Sequence, residues 1–184
     1  MLAKINPART KVLRKGAFSG ESVLYWMSRD KRVDDNWALL AAQSVALNNR
    51  VPLIVCFQYL GHFPEANIRQ YGFQLKGLLE LKNKLESLNI EFILSQGRAS
   101  EVIPRIIDER SVGTIITDYN PLKVYKKRVN NVLNLTKVPF YQIDAHNIVP
   151  VWKASPKKEY ANESRSKSNL FFAAISPGTN QSTS

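Results

Sequence analysis

Seven residues of this 184-residue chain have the types and placement to hold a ligand: Ser28, Arg29, Asp30, Phe57, Asp118, Tyr119 and Asn120. Ser28-Arg29-Asp30 and Asp118-Tyr119-Asn120 each follow an apolar run, and Phe57 ends another. An arginine beside carboxylates, a hydroxyl and flat rings suits a planar polar heterocycle, stacked on its face and hydrogen-bonded along its edge. This is binding chemistry rather than a reaction centre. The plainer reading of the same residues is a surface salt bridge worth less than about 1 kcal/mol.

Side-chain sets for other chemistries are missing. His62 and His146 stand in different loops, with no acidic partner at a metal-ligand spacing, so no metal site is expected. The glycine-rich phosphate loops of the Walker and GxGxxG kinds are absent, which argues against a nucleoside triphosphatase and a dinucleotide dehydrogenase. No serine or cysteine sits at a nucleophile elbow. Cys56 lies inside the apolar run Pro52 to Phe57, where a buried structural thiol outweighs a reactive one.

The elements that must position the seven residues are legible from periodicity. Val23-Leu24-Tyr25-Trp26-Met27 reads as a strand buried on both faces, broken by Ser28-Arg29-Asp30-Lys31-Arg32. Asp34, Asp35 and Asn36 are N-cap candidates for the helix that follows. The spacing of Trp37, Leu40, Ala41, Ser44 and Val45 puts those residues on one face of it. Further buried strands are expected at 51–57, 90–94, 113–117 and 138–143. Helices are expected over 67–88, from Ser100 through Ile107, and from Pro121 to about Leu135 with Val124, Val129, Val132 and Leu133 inward. Gly72 and Gly77 interrupt the first of these helices at roughly 1 kcal/mol each, which predicts close packing there against the sheet or a ligand.

Five apolar strands alternating with helices predict an α/β fold: an open five-stranded parallel Rossmann-like sheet, order 3-2-1-4-5, with helices on both faces. Its switch point falls between the first and fourth strands, so the crevice is expected over their carboxyl ends with Phe57 of the second as a wall. Domain organisation follows: a flexible basic arm over 1–20, an α/β domain over 21–152, and a linker with a polar tail over 153–184. The tail holds one apolar island, Leu170 to Ile175.

A formal net charge of +11 and a pI near 9.8 favour a polyanionic partner or an anionic ligand. One cysteine fits a reducing compartment, and no run is long enough for a membrane span. A soluble intracellular protein is expected, cytoplasmic or, in a eukaryote, nuclear or organellar.

The strings themselves are more specific than their chemistry. Tyr25-Trp26-Met27-Ser28-Arg29-Asp30-Lys31-Arg32-Val33, followed by Asp35-Asn36-Trp37-Ala38-Leu39-Leu40, resembles the amino-terminal signature of class II cyclobutane pyrimidine dimer photolyases. The run Asn67 to Gly72 with Phe73 and Leu75-Lys76-Gly77-Leu78 is similar to a helix of that family. So are Thr117 to Leu122 and Gln142 to Trp152, with Lys158-Glu159-Tyr160 continuing the likeness. The match covers most of 21–161. The family's continuation into a helical half departs at Asn162 to Ser168.

The resemblance implies a light-driven DNA repair protein of which this chain is the light-harvesting (antenna) domain. An antenna chromophore (a deazaflavin, a folate or FMN) would sit on the seven residues above. The catalytic FAD belongs to the helical domain of the full-length family. On this reading the chain is truncated before that domain, carries no catalytic residue and is inactive alone. Its partners would be DNA, held weakly and without specificity, and a separate helical FAD domain. Two other readings stand beside it: a stand-alone module for a nucleotide-like ligand, and a basic DNA-associating scaffold using Lys123, Lys126, Lys127 and Arg128. An absorbance spectrum of the purified chain separates the chromophore and ligand readings from the scaffold.

Overall fold

A computed structural model describes residues 6–59 and 68–154 of the protein. His62, the apolar island at 170–175 and the likeness at 158–160 lie outside the described residues. The chain divides into two units, Met1–His146 and Asn147–Ser184. In the second, α5 (Val151–Ala154) is one short turn in which the N–H groups of Lys153 and Ala154 donate to the Pro150 carbonyl.

The first unit carries a mixed six-stranded sheet. Its strands are β1 (Thr10–Arg14), β2 (Ser22–Met27), β3 (Leu53–Tyr59), β4 (Glu91–Gln96), β5 (Val112–Asp118) and β6 (Phe140–Ile143). The order is β1-β6-β5-β2-β3-β4. β2 through β6 run parallel, and β1 lies antiparallel to β6, with Thr10 opposite Ile143. The expected all-parallel five-strand sheet is thus corrected in count and order by an added edge strand. The five apolar runs keep the neighbours predicted for them. β1 was hidden because an edge strand with one neighbour needs no apolar run, and Thr-Lys-Val-Leu-Arg reads as a charged arm.

Residues 10–20, expected within a flexible arm, are therefore tied down. Arg14 donates its guanidinium to the Thr136 and Leu133 carbonyls at the end of a helix, where a cation also complements the helix dipole. The Glu21 N–H bonds the Ser111 carbonyl at 2.7 Å, and Phe18 packs on Gly113. Glycine is required on both sides of this crossing. A Cβ on Gly20 would lie 2.4 Å from the Ser111 oxygen, and one on Gly113 2.7 Å from the Phe18 ring.

Helices α1 (Trp37–Asn49) and α2 (Ile68–Ser87) cover one face of the sheet; α3 (Ala99–Glu109) and α4 (Lys123–Leu135) cover the other. Alternation along β2 builds both cores. Val23, Tyr25 and Met27 point toward α1 and α2, while Leu24 and Trp26 point toward the opposite layer. β2 is buried at all six positions because it lies mid-sheet between two helical layers.

The inward face of α1 differs from expectation. Ala38, Leu39, Ala41, Ala42 and Ala46 are buried, whereas Trp37 and Leu40 are exposed, with Arg9 stacked 5.3 Å above the Trp37 ring. The helix is apolar around most of its circumference, so periodicity carries no phase, and the small alanines take the side against the strands. On α4, Val129 and Val132 are buried and Leu133 is half-buried as predicted, but Val124 is exposed on the first turn. On α3 the helix begins one residue before the expected Ser100, with Arg98 at the cap position, and Pro104 stands inside the helix. On α2, Leu78, Leu81 and Leu85 are buried. A Cβ built on Gly72 or Gly77 would meet nothing within 4 Å, so neither glycine answers to close packing against the sheet.

Candidate functional site

The carboxyl edge of the sheet has two halves. The first is the switch point, where β2 and β5 run side by side with Trp26 opposite Thr117. Here Asp118, last residue of β5, is wholly buried, and both its oxygens are taken. Oδ1 accepts the Ser28 N–H at 2.8 Å and the Ser28 hydroxyl at 2.9 Å. Oδ2 accepts the Arg29 N–H at 2.5 Å and the Asp30 N–H at 2.8 Å. Three successive N–H groups curl around one carboxylate, the arrangement that elsewhere cradles a bound anion. Burial pushes the Asp118 carboxyl above its ordinary range, and the four donors pull the other way.

The loop after β2 is locked a second time by Asn36. As N-cap of α1, its Oδ1 accepts the Ala38 and Leu39 N–H groups at 3.0 and 3.1 Å. Its Nδ2 lies 3.1 Å from the Asp30 carbonyl, 3.0 Å from that of Arg32 and 3.1 Å from the Tyr25 hydroxyl. Tyr25 is fully buried, which holds its phenol well above the usual range; the nearby Asp118 carboxylate adds to the shift. Asp30 is buried too, with Oδ1 3.1 Å from His146 Nδ1 and 3.9 Å from Arg32. Its Oδ2 is buried and finds no donor among the described residues. The partner of His146 was invisible in the sequence because 116 positions separate the two residues. Asn120 accepts the Leu122 N–H, and the Tyr119 N–H donates to Ile143.

The second half lies over β2 and β3. Pairing of β2 with β3 stops at Met27 opposite Phe57, but β3 continues against β4 to Tyr59 opposite Gln96. The step so formed is a recess lined by Trp26, Met27, Ser28, Lys31, Phe57, Gln58, Tyr59, Gln74, Tyr125 and Arg128. Gln74 enters from α2; Tyr125 and Arg128 enter from α4 in the opposite layer. Lys31 Nζ stands 5.0 Å over the Phe57 ring, and the Arg128 guanidinium 4.9 Å over that of Tyr125. Desolvation lowers the Lys31 ammonium from its ordinary value, with the Asp118 carboxylate opposing. The enclosed space is small, about 40 Å³. A wider groove of about 670 Å³ runs alongside, past Arg69, Gln70, Phe73 and Gly77, and shares Lys31 and Gln74 with the recess.

Two of the seven expected residues, Ser28 and Phe57, line this recess. Arg29, Asp30, Asp118, Tyr119 and Asn120 do not. Asp118 already accepts from four protein donors, which fill its lone-pair directions. Arg29 enters that clasp through its backbone. Sequence reasoning missed Lys31, Gln58, Tyr59, Gln74, Tyr125 and Arg128. Lys31 was within reach of it, one residue past the expected site. Tyr125 and Arg128 were not, because only the packing of α4 brings them to the end of β3. Among the described residues no three metal-ligating side chains come together, and no described helix is long and apolar enough to cross a membrane.

The family model described as DNA photolyase matches residues 23–166. The deoxyribodipyrimidine photo-lyase of Potorous tridactylus is 46% identical over 142 residues, covering 76% of this chain and 27% of its own length. That of Arabidopsis thaliana is 39% identical over 164 residues, covering 85% of this chain and 33% of its own. The chain thus spans a third or less of these relatives. The crystal structure of a bacterial class III photolyase from Agrobacterium tumefaciens superposes with a TM-score of 0.57 over 70% of this chain and 27% of the other. At 20% identity it speaks for the fold alone.

Proposed function

Because the chain belongs to the DNA photolyase family, we propose that it is the amino-terminal antenna domain of a class II cyclobutane pyrimidine dimer photolyase. Light-driven DNA repair is the family's activity. The domain proposed for this role takes in β1 at Thr10 and runs through β6, and it contributes light capture to a flavin-bearing helical half. Support for the subtype comes from the string Tyr25 to Leu40, and support for the antenna role from the recess over β2 and β3.

That recess suits a planar chromophore. Phe57, Tyr59 and Tyr125 offer faces for stacking, Gln58 and Gln74 offer amides for a heterocycle edge, and Lys31 and Arg128 supply positive charge for an anionic ring or tail. Space for a tricyclic ring requires Lys31 and Gln74 to swing aside and merge the recess with the adjoining groove. Lys31 is held there by one cation–π contact, worth about 0.5–1 kcal/mol at an exposed site, so this movement costs little. Ser28, held by its two bonds to Asp118, forms the fixed shoulder of the site. The ligand class is a deazaflavin, a folate or FMN.

Titration of the 184-residue chain with each of these, followed by absorbance and fluorescence, tests the reading. Lys31→Ala and Arg128→Ala should each weaken the bound chromophore by about 1.5–3 kcal/mol, the range for a lost charged hydrogen bond. Arg29→Ala should change affinity by less than about 0.5 kcal/mol. FAD, whose family pocket lies in the helical half, should not bind stoichiometrically. Equal affinities across all variants, or tight FAD retention by this chain, would sink the assignment.

A further inference from the structure

Helix α4 carries its charges unlike the other helices. On α2, Lys82 pairs with Glu86 at 3.6 Å and Lys84 with Asp34 at 3.1 Å; on α3, Arg105 pairs with Glu109 at 3.7 Å. α1 has no charged residue. α4 has four cations in its first six residues, Lys123 through Arg128, and no acidic residue along its length. None of the ion pairs among the described residues involves it.

The pattern is also directional. With Val129 and Val132 buried, a 3.6-residue repeat puts Lys123, Lys127, Asn130 and Asn134 in one line along the outward face, flanked by Lys126 and Asn131. All six are exposed, and every one ends in an ammonium or an amide. The Lys126 ammonium stands 5.9 Å from the Tyr119 ring, which restrains it toward the β5 end of the helix. The first turn has neither a side-chain cap nor an acid, so the lysines add to the positive end of the helix dipole. A helix face kept only for solubility mixes both signs. This one carries charge of a single sign, in its first half, and offers hydrogen-bond donors at each step.

We propose that this outward face of α4 is a docking surface for the phosphodiester backbone of duplex DNA, read without sequence or lesion preference. The line runs from Lys123 to Asn134, roughly 16 Å at 1.5 Å per residue, a distance over which a strand rising about 3.4 Å per phosphate presents several phosphates. Lysine supplies the charge and asparagine the hydrogen bonds that phosphate oxygens take from proteins. The surface rests on the domain reading only for the choice of polymer. It is distinct from the recess, which uses the inward-leaning Tyr125 and Arg128.

The test is fluorescence anisotropy of a labelled undamaged duplex against the whole chain across a salt series. Lys123→Gln/Lys127→Gln should lower the slope of log affinity against log salt by about 2, one unit per lost phosphate contact. Affinity at low salt should fall at least tenfold. Circular dichroism and the chromophore titration should not change, so failure here and failure of the antenna reading are separable. Lys82→Gln/Lys84→Gln, which removes two paired lysines from α2, should leave the slope as it was. Equal losses from the two double variants, or no loss from the α4 variant, would overturn the proposal. Polyglutamate competing as well as unlabelled duplex at equal charge would also overturn it, by pointing to an acidic protein instead.

Discussion

The two halves of the carboxyl edge are built from neighbouring residues of one loop and behave oppositely. Over β2 and β5, Asp118 and Asn36 gather backbone N–H and carbonyl groups, and the oxygen left without a donor among the described residues, Asp30 Oδ2, is buried. Over β2 and β3, aromatic faces and two cations border a step that no side chain fills. The switch point of an open α/β sheet is where a crevice is expected. Here the chain seals that point with its own carboxylate, and the opening is displaced one strand over. The lesson is that a switch point supplies exposed strand ends, while the next few residues decide whether a ligand or the protein itself occupies them.

The contrast is sharpest at Asp118. Asp118→Ala would strand one buried and two half-buried N–H groups and should destabilise the fold by about 3–5 kcal/mol, measured by urea unfolding. A cost below about 1 kcal/mol combined with loss of chromophore binding would reverse the roles of the two halves. Asn36→Ala comes next. It removes a cap worth about 1 kcal/mol and leaves the Asp30 and Arg32 carbonyls without their donor. About 2 kcal/mol is expected in all, with Asn36→Asp recovering only the cap's share because it keeps the acceptor and loses the donors. Full rescue by aspartate would mean that only the cap matters.

The smallest expected effect probes the floor beneath the open half. Cys56 on β3 is buried, and burial pushes its thiol up to about 12. A thiol raised in the folded state stabilises the fold below its unfolded value, near 8.5. It loses that contribution as pH climbs from there toward 12, because the unfolded chain releases its proton first. Stability of the parent should therefore fall by about 1–2 kcal/mol between about pH 8 and pH 10. Cys56→Ala should be less stable at neutral pH yet show a shallower alkaline decline. A parallel decline in both proteins would leave the raised Tyr25 phenol as its source.

By itself the sequence determined the alternation of strand and helix, the neighbours of the five parallel strands and the family. Each of these rests on local periodicity or on a contiguous string such as Tyr25 to Leu40. It also marked the loop after β2 as the place where chemistry gathers, since charged residues directly after a buried strand must lie at the sheet edge. Tertiary structure decided the rest. β1 joins the sheet through backbone hydrogen bonds that leave no apolar signature. α1 turns its alanines inward because packing distance, not periodicity, selects among apolar faces. Asp118 becomes a clasp and Arg128 a lining residue because loop curvature and helix docking bring together atoms far apart along the chain. No pattern in the sequence encodes those distances. They follow from how two helical layers settle on one twisted sheet, and that settling decides which polar atoms are consumed by the fold and which remain for a ligand.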